Sequence, residues 1–170
     1  MKVHAHIFRG YDLRGIVGED LNEELAQHLG KAHGTMLKKT GITEAVVGRD
    51  CRATGPAYSA AVVEGLRSVG INVVDIGMTM VGTFYWAQYF LKSPGGVFVT
   101  ASHNPPEYNG FKFANNYSET YVSAGMQELR RRVEAEDYEP SERLGTLVAK
   151  DIRADYYADL IGRFNITKKF

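Results

Sequence analysis

The 170-residue chain balances 20 Lys and Arg against 20 Asp and Glu, so no net charge draws it toward nucleic acid or a membrane surface. Its length suits one domain with a buried core and is short for two. A single cysteine, Cys51, excludes an intrachain disulfide and a cysteine-based metal cluster and fits a reducing compartment. No apolar run is long enough to span a bilayer and Met1–His6 lacks a signal-peptide core, so the expected location is the cytoplasm.

Residues 7–18 place three glycines among two arginines and a tyrosine, which predicts a bent binding segment rather than a regular core strand. From Asn22 to about Lys39 the apolar residues Leu25, Leu29, Ala32, Met36 and Leu37 recur at helical spacing, with Asn22 as N-cap and Gly41 past the end. Ala26, Gly30 and Gly34 form a small-residue stripe on that helix, suited to close approach to a sheet. Ala45–Gly48 reads as a short buried strand. The polar loop Arg49–Thr54 follows, and then a helix capped by Thr54, started by Pro56 and ended by Gly70.

Asn72–Ile76 is the next predicted strand, Thr83 to about Lys92 the next helix, and Gly96–Thr100 a third strand. Gly110–Phe113 follows too closely for a crossover and must run antiparallel to its neighbour. A helix from Ser123 to about Val133, an acidic loop over 134–143 and a helix from Ile152 to Ile161 complete the series. Ile166–Phe170 resembles the opening of a strand, so residues 1–163 are expected to form one domain and 164–170 to begin a connection to a missing second one. Strands alternating with helices imply right-handed crossovers. The expected fold is therefore α/β, a three-layer α/β/α sandwich around a mixed, mostly parallel four-stranded sheet.

The stretch Thr100–Lys112 concentrates a hydroxyl, an imidazole, amides and an amine at a strand's carboxyl end, where open α/β sheets place their ligands. Ser102 is a candidate nucleophile and Lys112 a candidate acid/base partner, against the plainer readings of a turn and a solvated edge charge. His103 adjoins Ser102, but neighbours on extended backbone point to opposite faces, and there is no Gly-x-Ser-x-Gly elbow; both features argue against a serine hydrolase. His103 is expected to orient the loop or contact phosphate. Arg9, Arg14, Arg49 and Arg52 are expected in loops. Arg49 and Arg52 are read as structural partners of Asp50, and Arg14 as a ligand or phosphate contact.

Thr100-Ala-Ser-His-Asn-Pro-Pro-Glu-Tyr-Asn-Gly-Phe-Lys112 resembles the phosphoserine signature of the α-D-phosphohexomutases, in particular their phosphomannomutase/phosphoglucomutase branch. Tyr11-Asp-Leu-Arg-Gly15 and Gly48-Arg-Asp-Cys-Arg52 resemble that family's amino-terminal and Gly-Arg-Asp-x-Arg motifs, in the same order. The resemblance covers nearly the whole chain but only the first of the family's four domains. It implies that Ser102 carries a phosphoryl group during interconversion of hexose 1-phosphate and hexose 6-phosphate, with a hexose 1,6-bisphosphate as intermediate or activator. It further implies that Lys112 and Arg14 serve the chemistry, that Tyr11, His103, Asn104 and Asn109 bind the phosphosugar, and that Mg2+ takes one ligand from phosphorylated Ser102. The other metal ligands would lie in an Asp-Gly-Asp-type loop that this sequence lacks, so the chain alone is expected to be inactive. Met78-Thr-Met-Val-Gly-Thr83 departs from the family, where a Thr-Pro pair is expected before the helix that Thr83 could still cap. The alternative reading is a stand-alone, non-catalytic phosphate-binding or regulatory module.

Overall fold

A computed structural model describes residues 1–164; the expected strand at Ile166–Phe170 lies outside the described residues. A 3-10 turn (Ala5–Ile7) leads into β1 (Leu13–Ile16), α1 (Glu23–Lys39), β2 (Glu44–Arg49), α2 (Gly55–Ser68), β3 (Asn72–Met78) and α3 (Val81–Leu91). Then come β4 (Gly95–Val99), β5 (Tyr108–Asn116), β6 (Glu119–Thr120), α4 (Ser123–Ala135), β7 (Leu147–Ala149) and α5 (Arg153–Gly162). The sheet order is β1-β5-β4-β2-β3-β7, with β6 beside β5. β2 pairs in parallel with β3 and β4, and β7 in parallel with β3, whereas β5 runs antiparallel to both β4 and β1. The layered, mixed and mostly parallel architecture matches expectation; the strand count does not, since the described residues form a sheet of seven strands rather than four.

Each of the three added strands has a physical reason. β1 hides behind its glycine and arginine content, yet Leu13 is buried and Arg14 pairs opposite Gly110. At Gly110 a Cβ would lie 2.1 Å from the Leu13 carbonyl oxygen, so only glycine lets these strands meet. β6 and β7 are two and three residues long, and all three residues of β7 are exposed, so neither writes a buried alternation into the sequence.

Alternation across the strands builds two cores. Val47, Val97, Val99, Phe111 and Phe113 face α1, α2 and α4, where Leu29, Val62, Leu66, Met126 and Leu129 complete the larger cluster. Val46 and Phe98 face the other way, toward Phe84 and Ala87 of α3 and toward Ile152 at the start of α5. Lys112 lies between Phe111 and Phe113 on β5, and so it shares the α3 side with Phe98, its register partner. α5 buries none of its own residues, and it docks on α3 through Trp86 Nε1, which donates to Asp159 Oδ2 at 2.8 Å.

Asn22 caps α1 as expected, its Oδ1 accepting from the Leu25 amide at 2.8 Å. Thr54 occupies the N-cap of α2 but makes no side-chain cap bond, because its hydroxyl accepts from Asn109 Nδ2 at 2.9 Å. α3 starts at Val81 with Met80 as N-cap, and Thr83 is buried inside it rather than capping it. The small-residue stripe of α1 also meets a different partner. A Cβ on Gly30 would sit 2.4 Å from the Val62 carbonyl oxygen, so the glycines admit helix α2, not the sheet.

Candidate active site

Ser102 follows β4 on a loop at the carboxyl end of the parallel strands, and its φ of 57° puts it in the left-handed region. A non-glycine residue there persists only when its surroundings hold it, at a cost of order 1 kcal/mol. The Ser102 amide donates to Thr100 Oγ1 at 2.8 Å, and that hydroxyl donates to Asp50 Oδ2 at 2.6 Å. Asp50 Oδ2 lies 3.4 Å from Arg52 Nε. The Arg52 guanidinium then reaches across the loop to the carbonyls of Ser102 (3.1 Å), Asn104 (2.6 Å), Pro105 (2.8 Å) and Tyr108 (2.7 Å). A planar fork with fixed donors suits such convergent acceptors, and the structural role expected for Arg52 and Asp50 is what the geometry shows.

Arg14 braces the loop from the opposite side. It lies on β1 rather than in a loop, is buried, and gives Nε to Asp12 Oδ2 at 2.8 Å. Its Nη1 reaches the Ala101 carbonyl at 3.1 Å and Asn104 Oδ1 at 2.6 Å. Arg14 therefore touches the residues flanking Ser102 and not the serine hydroxyl. Asn104 is drawn in as its acceptor. Asn109 is fully buried, its Nδ2 on Thr54 and its Oδ1 accepting from the Gly110 amide at 2.9 Å, which turns it away from the cleft expected for it.

Three side chains do converge. The exposed Ser102 hydroxyl is 3.2 Å from His103 Nδ1, a contact that extended backbone would prevent and the left-handed serine permits. Lys112 Nζ sits 3.6 Å from Asp12 Oδ2 and 5.4 Å from the centre of the exposed Tyr11 ring. Ser102, His103 and Lys112 open on one cleft of about 750 Å³, walled by Met78, Thr79 and Met80 before α3 and by Arg153, Tyr156 and Tyr157 of α5. The α5 residues escape sequence reasoning because only the three-dimensional docking of α5 on α3 carries them there. No hydrogen bond joins His103 to a carboxylate among the described residues, so the serine–histidine contact does not extend to a hydrolase triad. Among the described residues Asp50 is the one acidic side chain lining the cleft, and it is already paired with Thr100 and Arg52. Among the described residues, the side chains lining this cleft therefore do not supply a set of Mg2+ ligands on their own.

The fold and this cleft define an α/β/α domain that presents an exposed serine, flanked by an imidazole and an amine, at the end of a mostly parallel sheet. Residues 5–140 match the sequence model for phosphoglucomutase/phosphomannomutase, alpha/beta/alpha domain I. The chain is 38% identical over 156 residues to a phosphomannomutase/phosphoglucomutase of Pseudomonas aeruginosa, covering 92% of this chain and 33% of that protein. It is 36% identical over 162 residues to a phosphomannomutase of Escherichia coli, covering 94% of this chain and 35% of that one. A crystal structure of a phosphoglucomutase/phosphomannomutase family protein from Burkholderia thailandensis superposes with a TM-score of 0.91 at 30% identity, over 98% of this chain and 38% of that one. The chain belongs to the phosphoglucomutase/phosphomannomutase family, as its domain I. It spans about a third of the length of the curated relatives it matches.

Proposed function

We propose that this chain is the phosphoserine domain of a phosphomannomutase/phosphoglucomutase that interconverts hexose 1-phosphate and hexose 6-phosphate through a bisphosphorylated intermediate. The observation that carries the reading is the left-handed Ser102, held by Thr100 and Arg52 so that its hydroxyl opens on a cleft shared with His103 and Lys112. In the first half-reaction a hydroxyl oxygen of the hexose phosphate attacks the phosphorus of phospho-Ser102, and the bond from phosphorus to Oγ breaks. The attacking hydroxyl loses its proton to a base, and Ser102 Oγ gains one. The second half-reaction runs in reverse with the other phosphate of the bisphosphate, restoring phospho-Ser102 and releasing the isomeric monophosphate.

In this reading Lys112 exchanges the proton at Ser102 Oγ, with His103 hydrogen-bonded to the same oxygen. A phosphoserine carries about −1.5 to −2 charges at neutral pH, and its transfer to an anionic sugar phosphate calls for nearby cations. Lys112 and Arg153 line the cleft and supply them. In the same reading Tyr11, whose ring lies beside Lys112, contacts the sugar. Arg14 acts as a positioning residue through Ala101 and Asn104. Mg2+ would take an oxygen of the Ser102 phosphate and its other ligands from outside the chain.

Incompleteness belongs to the same proposal: residues 1–163 form the domain and 164–170 begin a connection to the next. Exposed Tyr157, Leu160 and Ile161 on α5, with Leu147 and Val148 on the β7 edge, favour a covering neighbour over an independent module. The test is a mutase assay with glucose 1-phosphate, Mg2+ and glucose 1,6-bisphosphate, on this chain and on the protein that carries the downstream sequence. The longer protein should turn over, its Ser102→Ala variant should not, and the chain alone should be silent. Full activity of Ser102→Ala would overturn the serine's role, and robust turnover by the chain alone would overturn its incompleteness.

A further inference from the structure

Outside the cleft, one group of side chains gathers ligand atoms that the mutase reading does not use. His4 Nδ1 lies 2.8 Å from Asp20 Oδ1, and His6 Nε2 lies 3.2 Å from the same oxygen. The three ligand atoms all fall within 4.8 Å of one another. We propose that His4, His6 and Asp20 form a binding site for a divalent transition-metal ion, Zn2+ above all, which ties the amino-terminal segment to the turn between β1 and α1.

Ligand chemistry favours that ion. Two imidazoles and one carboxylate are donors that Zn2+ accepts at about 2.0–2.2 Å, and ligand atoms so arranged around one ion lie roughly 3–3.5 Å apart. The two histidine–aspartate separations already lie near that range, and the third, within 4.8 Å, closes as the exposed rings turn. Mg2+ and Ca2+ prefer oxygen donors in larger number, and a thiolate-seeking ion finds no cysteine here. Two nitrogens and one oxygen leave a further tetrahedral position for water.

The donors are held before any ion arrives. Asp20 has a side chain only 5% exposed, and its second oxygen accepts the Ile16 amide at 2.9 Å, which fixes the carboxylate and leaves Oδ1 facing the two imidazoles. Its seat depends on Gly15, where a Cβ would stand 2.5 Å from Asp20 Cβ. The histidines flank Ala5, and their rings stack with centroids 5.6 Å apart. Buried Ile7 and Phe8 anchor the segment on one side, and on the other the Met1 ammonium binds the Glu134 carbonyl at 3.0 Å and the Glu136 carboxylate at 2.9 Å. The outer nitrogens of both exposed rings are left to solvent, so the rings can adjust to the ion.

The site is tested by titrating the chain with Zn2+ against a chromogenic chelator, and with Co2+ followed by its visible absorption. One ion per chain is expected, with a melting temperature that rises with Zn2+ concentration. Replacing both histidines, His4→Gln with His6→Gln, should abolish the Co2+ spectrum and the melting shift. Asp20→Asn, which keeps an acceptor for the Ile16 amide, should weaken binding by more than ~10-fold, the loss seen even when a group that merely orients a ligand is removed. The exposed histidines can be replaced without touching the core, so the double variant decides if Asp20→Asn fails to fold. Stoichiometric binding that survives the double substitution, or no binding by the parent chain at micromolar Zn2+, would overturn the proposal.

Discussion

Thr100 gives its hydroxyl proton to Asp50 Oδ2 across 2.6 Å, and its oxygen accepts the Ser102 amide at 2.8 Å. One side chain thus couples the end of β2 to the serine. Thr100→Val keeps the shape and removes both bonds, leaving the part-buried Asp50 carboxylate with Arg52 alone and the loop amide without its acceptor. The expected loss is about 1–3 kcal/mol in urea denaturation. An unchanged midpoint with an unchanged slope would show that water replaces the hydroxyl without cost.

Arg52 makes a sharper case, because four carbonyls converge on one guanidinium. Lysine keeps the charge but has a single nitrogen and cannot span them. Arg52→Lys should cost about 2 kcal/mol and speed amide hydrogen exchange across residues 102–108, while β2 and β4 keep their protection. Uniform acceleration over the whole sheet would mean that Arg52 stabilises the domain globally and not the loop.

These two residues also mark how far the sequence is legible. The succession of the central strands along the chain, the antiparallel return at Gly110 and the placing of Ser102 at a strand end all follow from apolar runs and loop lengths, which are local signals. The brace around the serine is not local, since Arg14 and Arg52 reach it from 87 and 50 residues away in the chain. Arg14 looks like a ligand contact until Asp12 is seen beneath it, and Asn109 looks like a sugar contact until Thr54 is found on its amide. His103 misleads for a different reason: its contact with Ser102 depends on one positive φ that no residue type announces. β7 leaves no trace because an exposed edge strand buries nothing.

Gly65 is a position where the helix pair α1 and α2 permits no side chain. A Cβ there would stand 2.1 Å from the Gln27 carbonyl oxygen and 2.9 Å from the Lys31 amide nitrogen, both rigid backbone. Helix propensity alone would make Gly65→Ala stabilising by up to about 1 kcal/mol. The clash should win, with a net loss of about 3 kcal/mol as the helices are pushed apart. Urea denaturation of Gly65→Ala, with Gly82→Ala as a control on α3 where nothing lies within 4 Å, separates the two effects. Stabilisation in both would show that α1 and α2 separate at little cost.

His33 gives the domain a defined dependence on acid. Its ring is wholly buried between α1 and β4, 3.1 Å from the Gly96 carbonyl through Nε2 and 2.9 Å from Tyr121 Oη through Nδ1. A carbonyl only accepts, so Nε2 carries the proton and Nδ1 accepts from the tyrosine hydroxyl, which defines a neutral imidazole. Burial outweighs the hydrogen bonds that favour the cation and pulls its pKa from 6.5 down to about 3. The folded value lies below the unfolded one, so below pH 6.5 the unfolded chain binds a proton that the folded chain refuses. The stability that His33 protects is complete above pH 6.5 and is lost as pH falls toward 3, at up to about 1.4 kcal/mol per pH unit. Folding free energies measured from about pH 7 down to about pH 5, a range above most carboxylate titration, should fall more steeply for the parent than for His33→Gln. The His33 ring resonances should hold still across the same range. Parallel stability slopes together with a titrating His33 resonance would show that the ring accepts a proton in place.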